Sequence, residues 1–77
     1  MANIETTKMK VVGPRIMHCG GCANTVEFVL RELEGVHRVD ANHRTQQIEL
    51  AYDPEALDFA RVRRELDQLD YQVERIG

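Results

Sequence analysis

Strand-like and helix-like hydrophobic periods succeed one another along this 77-residue chain in the order strand, helix, strand, strand, helix, strand, an order that few folds accommodate. Met9-Lys10-Val11-Val12 alternates and is β-branched, following a polar leader, residues 1–7, that reads as loose. Gly13-Pro14 punctuates this run. Arg15-Ile16-Met17 is expected to resume the strand past a kink, because proline removes a ladder donor and glycine permits a bulge. Val26, Val29, Leu30 and Leu33 then recur at helical spacing on a helix that begins near Cys22 and that Gly35 closes just past its C-terminal cap. Val36 to Ala41 and Gln47 to Tyr52 are β-rich and are joined by Asn42-His43-Arg44-Thr45, which predicts a hairpin. Asp53 as N-cap with Pro54 in the first turn predicts a second helix reaching Gln68, its apolar face carried by Phe59, Val62, Leu66 and Leu69. Tyr71, Val73 and Ile76 alternate as a last strand.

A β-α-β-β-α-β order is the split βαβ arrangement of the α+β class, a four-stranded antiparallel sheet with two helices on one face. Its crossovers bring the loop after the first strand and the loop before the last to the same end of the sheet. Tyr71 is therefore expected near Cys19 and Cys22. No internal repeat or low-complexity tract interrupts the pattern, so residues 8–77 read as a single domain after the leader.

At 77 residues and 43% apolar content, the chain allows one small domain with a thin core. A formal charge of −3, with basic residues interspersed among acids, offers no basic stripe to a nucleic-acid backbone. No apolar stretch approaches the ~18 residues of a membrane span, which excludes direct insertion. Met1-Ala2-Asn3-Ile4-Glu5 lacks the basic and apolar regions of a secretory signal, so the expected location is cytoplasmic.

Both cysteines lie in Met17-His18-Cys19-Gly20-Gly21-Cys22, on a loop entering the first helix. Thiols at this spacing can grip one soft metal ion or close on each other as a disulfide. Cys22 meets the free N–H groups and positive dipole end of the helix, which lower a thiol pKa, while Gly20 and Gly21 are expected to turn the backbone so that both sulfurs face one point. Two thiolates suit Cu(I). Zn(II) prefers four ligands and would need His18, an acid such as Asp70, or solvent to complete its shell. A dithiol-disulfide redox protein is the reading from a different class, although the strand order and length are not those of a thioredoxin-type chain; a zinc ribbon would need a second cysteine pair. Met17 reads as core beneath the loop rather than as a ligand. His18 is either a direct metal contact or a solvent-facing residue that steers partners. Tyr71 either packs with its hydroxyl exposed or shields the sulfurs. His37 and His43 fall on the exposed hairpin. Arg61, Arg63, Arg64, Glu65, Asp67 and Asp70 form the solvated face of the second helix, with Arg63 and Asp67 at i,i+4 spacing.

Met17-x-Cys19-x-x-Cys22 followed by Ala23 and an amphipathic helix, the closing Gly35-Val36, and the tail Leu69-Asp70-Tyr71 together resemble the heavy-metal-associated domain family, over residues 9–76. That family comprises small copper chaperones, the amino-terminal metal-binding domains of copper, zinc and cadmium P-type ATPases, and mercury-binding relatives. The resemblance implies a ferredoxin-like fold and a non-enzymatic role, with Cys19 and Cys22 as the metal ligands, Met17 as a buried support of the loop and Tyr71 as the tyrosine behind the sulfurs in many bacterial members. It further implies a Cu(I) chaperone that hands its ion to a P-type ATPase or another thiolate-rich acceptor, with Zn(II), Cd(II) or Hg(II) as alternatives on the same fold. A homodimer bridged by shared metal is a further expectation, as is the alternative that the chain is a domain of a larger transporter. Three features depart from the family: Ile16 stands where glycine usually precedes the methionine, Gly13-Pro14 breaks the first strand, and His18 replaces the usual Thr of copper members or Asp of zinc and cadmium members.

Overall fold

The structure, a computed structural model, describes residues 3–76. These form β1 (Glu5–Val12), α1 (Gly20–Arg31), β2 (Val36–Asn42), β3 (Gln47–Tyr52), α2 (Phe59–Gln68) and β4 (Gln72–Arg75). All neighbouring strands pair antiparallel, in the order β2-β3-β1-β4, which is the expected ferredoxin-like sheet with β1 and β3 at its centre.

Alternation decides which face of the sheet is covered. Thr7, Met9 and Val11 of β1 turn inward, as do Val39, Ile48, Leu50, Tyr52 and Val73 from the other strands. Ala23, Val26 and Leu30 of α1 and Val62 and Leu66 of α2 close over them, and Met17, Leu57 and Tyr71 plug the margins. The opposite face carries Lys8, Lys10, Asp40, Gln72 and Glu74, all exposed. Among cross-strand partners on that face, Lys8 stands opposite Glu49 and Lys10 opposite Glu74. The outer edge of β2 is protected in part by α1, whose Glu27 carboxylate accepts the Ala41 amide at 3.0 Å.

Several boundaries differ from those the sequence predicts. Glu5 to Thr7, expected within the loose leader, pair with Tyr52, Ala51 and Leu50 as strand. Their polar character hides this, because the inward residue is Thr7, whose hydroxyl accepts Arg75 Nε at 2.8 Å. Met1 and Ala2 of that leader, and Gly77 at the end of the expected domain, lie outside the described residues. Arg15-Ile16-Met17 does not resume β1: Gly13, at φ +87°, turns the chain off the sheet, and the segment to Cys19 is a lengthened loop.

α1 starts at Gly20, two residues ahead of Cys22, and ends at Arg31. Gly35 is thus not its closing residue. It does hold φ +94°, in the turn into β2, where its carbonyl accepts the Asp53 amide at 2.8 Å and an added Cβ would lie 3.0 Å from that of Ala56. α2 starts later than expected: Asp58 caps it through Ala60 N, whereas Asp53 organises a separate turn by accepting from Glu55 N at 3.0 Å. The i,i+4 ion pair on α2 joins Arg61 to Glu65 at 3.0 Å, in place of Arg63 and Asp67. β4 excludes Tyr71 and Ile76, the latter being exposed.

Three connections converge at one end of the sheet. The loop 13–19 leaves β1 there, the turn 43–46 enters β3 opposite Lys10, and the turn out of α2 enters β4 opposite Val12.

Candidate metal centre

The two cysteines occupy the entry to α1. Cys19 is its N-cap, with extended φ −155° and ψ 178°, and its carbonyl accepts the amides of Cys22 at 3.1 Å and Ala23 at 3.2 Å. Positions three apart across a first helical turn are neighbours, so this register brings both side chains to the helix N-terminus. Cys19 is exposed, Cys22 is half-buried at the rim of the core, and both are free thiols. Gly20 and Gly21 do not bend the chain as expected, since neither has positive φ. Space does not require them either: a Cβ on Gly21 would lie at an ordinary contact distance of 3.6 Å from Cys19 Sγ, and one on Gly20 would meet nothing within 4 Å.

Met17 anchors the loop from below. Its side chain is 1% exposed and belongs to the core, as expected. Its backbone is gripped at both polar atoms by Gln46, whose Oε1 accepts Met17 N at 2.9 Å and whose Nε2 donates to Met17 O at 2.7 Å. The same Nε2 donates to His43 O, and Gln46 O accepts Val11 N at 2.7 Å, tying the hairpin turn to β1. Gln46 also holds φ 60°, unusual for a residue with a side chain. Nothing in Thr45-Gln46-Gln47 signals such a position, because it follows from the hairpin and the loop sharing one end of the sheet.

Tyr71 is where the topology predicts it, beside Cys22. It is placed by the way α2 ends. Tyr71 N donates to Leu66 O at 2.9 Å and Asp70 N to Asp67 O at 2.9 Å, with Asp70 at φ 67°, which makes a Schellman motif with aspartate in the position usually taken by glycine. The Cys22 thiol is held below its ordinary range, first by the backbone amide of His18, then by a hydrogen bond from the Tyr71 side chain, with smaller help from Cys19 and with desolvation opposing. Burial pushes the Tyr71 phenol up, and its hydrogen bond to Cys22 adds to that. On its other side, Tyr71 carries Arg15, whose guanidinium lies 5.2 Å from the ring centroid and draws the phenol pKa back down in part. Arg15 gave no signal in the sequence, where it is one more basic residue after a proline.

The remaining candidates do not converge on the thiols. Among the described residues, no three His, Cys, Asp or Glu side chains gather as a metal-holding group. His18 meets the pair through its backbone, while its residue is exposed. Asp70, the acid weighed for a divalent shell, is exposed and sits in the capping turn of α2. His37 is exposed on β2, whereas His43 in the turn is half-buried. No helix among the described residues is long and apolar enough to cross a membrane.

This ferredoxin-like sandwich presents two sulfurs at a helix N-terminus, one of them open to solvent, an arrangement chemically able to take a soft metal ion. The heavy-metal-associated domain profile matches residues 15–72, and the chain belongs to that family, one of non-enzymatic metal-binding domains. A copper-exporting P-type ATPase of Staphylococcus aureus, strain Newman, is 29% identical over 70 residues, which are 91% of this chain and 8% of that protein. The chain thus spans a small fraction of the curated relatives it matches. Among solved structures, the N-terminal domain of a potential copper-translocating P-type ATPase from Bacillus subtilis, in the Cu(I)-loaded state, is 25% identical with a TM-score of 0.86, over 97% of this chain and 90% of that one. The CopZ metallochaperone is 26% identical with a TM-score of 0.81, over 91% and 100% of the two chains. MerP from Ralstonia metallidurans CH34 shares the fold at 23% identity and a TM-score of 0.84, over 97% of this chain and 100% of that one.

Proposed function

We propose that this chain binds Cu(I) through Cys19 and Cys22 and passes it on by thiolate exchange. The observation that carries the reading is the asymmetry of the pair: Cys22 is half-buried with a lowered thiol pKa, while Cys19 stands exposed on the capping residue. Two soft thiolates satisfy Cu(I) and leave one side open, so an acceptor thiolate can attach before the first ligand departs. Met17 and Tyr71 support the pair without binding the ion. The acceptor is a P-type ATPase or another thiolate-rich domain in the cytoplasm, where a reducing environment keeps such a pair free. The copper-related relatives support copper. They include both a metallochaperone and ATPase domains, and the reading applies equally to a free carrier and to a domain of a transporter.

Zn(II), Cd(II) or Hg(II) on the same thiols is the alternative, with His18, Asp70 or solvent adding ligands. Two such dithiol sites, each with Cys19 exposed, can also complete one another's coordination in a metal-bridged homodimer. The test is an anaerobic competition titration of the reduced protein with Cu(I) and Zn(II) against chelators of known affinity. One tight equivalent of Cu(I) with weak Zn(II) binding is expected. Tight Zn(II) binding moves the protein to the divalent branch, and uptake of neither ion makes the dithiol-disulfide redox reading the leading one.

A further inference from the structure

The metal loop carries a fixed positive charge that the thiol chemistry above does not use. Arg15 lies over the Tyr71 ring at 5.2 Å, and Tyr71 in turn reaches the Cys22 sulfur. Arg15 is exposed and makes no ion pair within 4 Å among the described residues. Its guanidinium is a positive charge.

We infer that Arg15, held against Tyr71 beside the cysteine pair, is a positioning residue that biases the site toward monovalent over divalent soft ions. The inference rests on the metal-binding reading of Cys19 and Cys22 and concerns its selectivity. When either ion binds, two S–H bonds break, two protons leave to solvent and two sulfur–metal bonds form. The dithiolate site then carries one net negative charge with Cu(I) and none with Zn(II); water or neutral imidazole completing the zinc shell changes neither figure, and only a carboxylate such as Asp70 would make them equal. A nearby cation favours the more negative product. Proton competition is the same for both ions and cancels in the ratio of their affinities, so this ratio isolates the charge effect. Arg15 acts through Tyr71 in two ways. Its charge lies against the ring whose side chain reaches the Cys22 sulfur, and it holds that ring in place.

The test is the ratio of Cu(I) to Zn(II) affinity, measured by chelator competition at one pH, in the wild type, Arg15→Gln, Arg15→Lys and Tyr71→Phe, and in the Arg15→Gln/Tyr71→Phe double variant. Arg15→Gln is expected to lower the ratio about two- to fivefold, the range for an exposed charge, with Arg15→Lys recovering most of it. The Arg15→Gln effect should shrink in the Tyr71→Phe background and fade as ionic strength rises. An unchanged ratio in Arg15→Gln, or Arg15→Lys as poor as Arg15→Gln, overturns the inference while leaving Cu(I) binding by the wild type intact. Uptake of neither ion by the wild type is a different failure, one that removes the metal-binding reading and the selectivity with it.

Discussion

Cys22 and Tyr71 push each other's protonation in opposite directions: the phenol donates to the sulfur, which lowers the thiol pKa, and the sulfur raises that of the phenol. Removing the hydroxyl in Tyr71→Phe takes away a bond to the thiolate form, so the Cys22 pKa should rise. In a Cys19→Ser background, the pH of half-maximal alkylation by iodoacetamide should therefore move upward; an unchanged midpoint would show that the phenol does not face the sulfur in solution. Replacing either cysteine by serine should lower Cu(I) affinity by more than about 100-fold, beyond the ~10–100-fold typical of losing a group behind a ligand. The apo fold should survive both changes, more comfortably for exposed Cys19 than for Cys22, which packs at the core rim. Circular dichroism of the apo variants checks that. Met17 separates packing from ligation. Met17→Leu preserves volume and should cost under about 1.5 kcal/mol with Cu(I) affinity retained, whereas Met17→Ala should destabilise by about 3 kcal/mol through its cavity. Loss of Cu(I) affinity in Met17→Leu would make the thioether a ligand after all.

At the scale of elements, the periodic segments were legible and the punctuation between them was not. Val26 and Leu30, or Ile48 and Leu50, announce their elements because the buried face is continuous and apolar. Asp53-Pro54 misled because a good cap followed by proline also starts an isolated turn, and the true cap, Asp58, stands five residues on beside an equally ordinary sequence. Likewise the thiol pair and Tyr71 could be placed from topology, while the grip of Gln46 on Met17 depends on a side chain reaching across 29 positions of sequence. That grip predicts its own effect. Gln46→Ala leaves two part-buried backbone groups of Met17 without their partners and should lower stability by about 1–3 kcal/mol in chemical denaturation. Hydrogen exchange at the Met17 amide should accelerate beyond what global destabilisation explains. Unaltered exchange at that amide in Gln46→Ala would show that the loop holds itself. Two glycines allow a paired check of backbone against space. Gly20→Ala, open and without positive φ, should change stability by no more than about 0.5 kcal/mol. Gly35→Ala, at φ +94° and 3.0 Å from the Ala56 Cβ, should cost more than about 1 kcal/mol.

The whole molecule measures 38 × 21 × 19 Å, with its three converging connections and the thiols at one end. At typical values per residue a chain this short has a total stability of about 4–12 kcal/mol, so losses of about 2–3 kcal/mol in the core remove a large share of it. Two copies meeting thiol end to thiol end would bury little of either surface, and association should therefore follow the metal. Mass measured in solution is expected to rise above that of a monomer only with Cu(I) present and to fall again when a chelator removes it; a dimer persisting in the chelated protein would place its interface elsewhere. The strand register also fixes where the described chain enters and leaves. Glu5 starts β1 at the far end of the sheet, and Ile76 N donates to Lys8 O as the chain leaves β4 in the same direction, away from Gln72 and Val12. Both attachment points thus hang from the tail of the molecule while the sulfurs sit at its nose, and partner proteins, tethers or repeated units could be joined to either end like beads on a cord without shadowing the thiols.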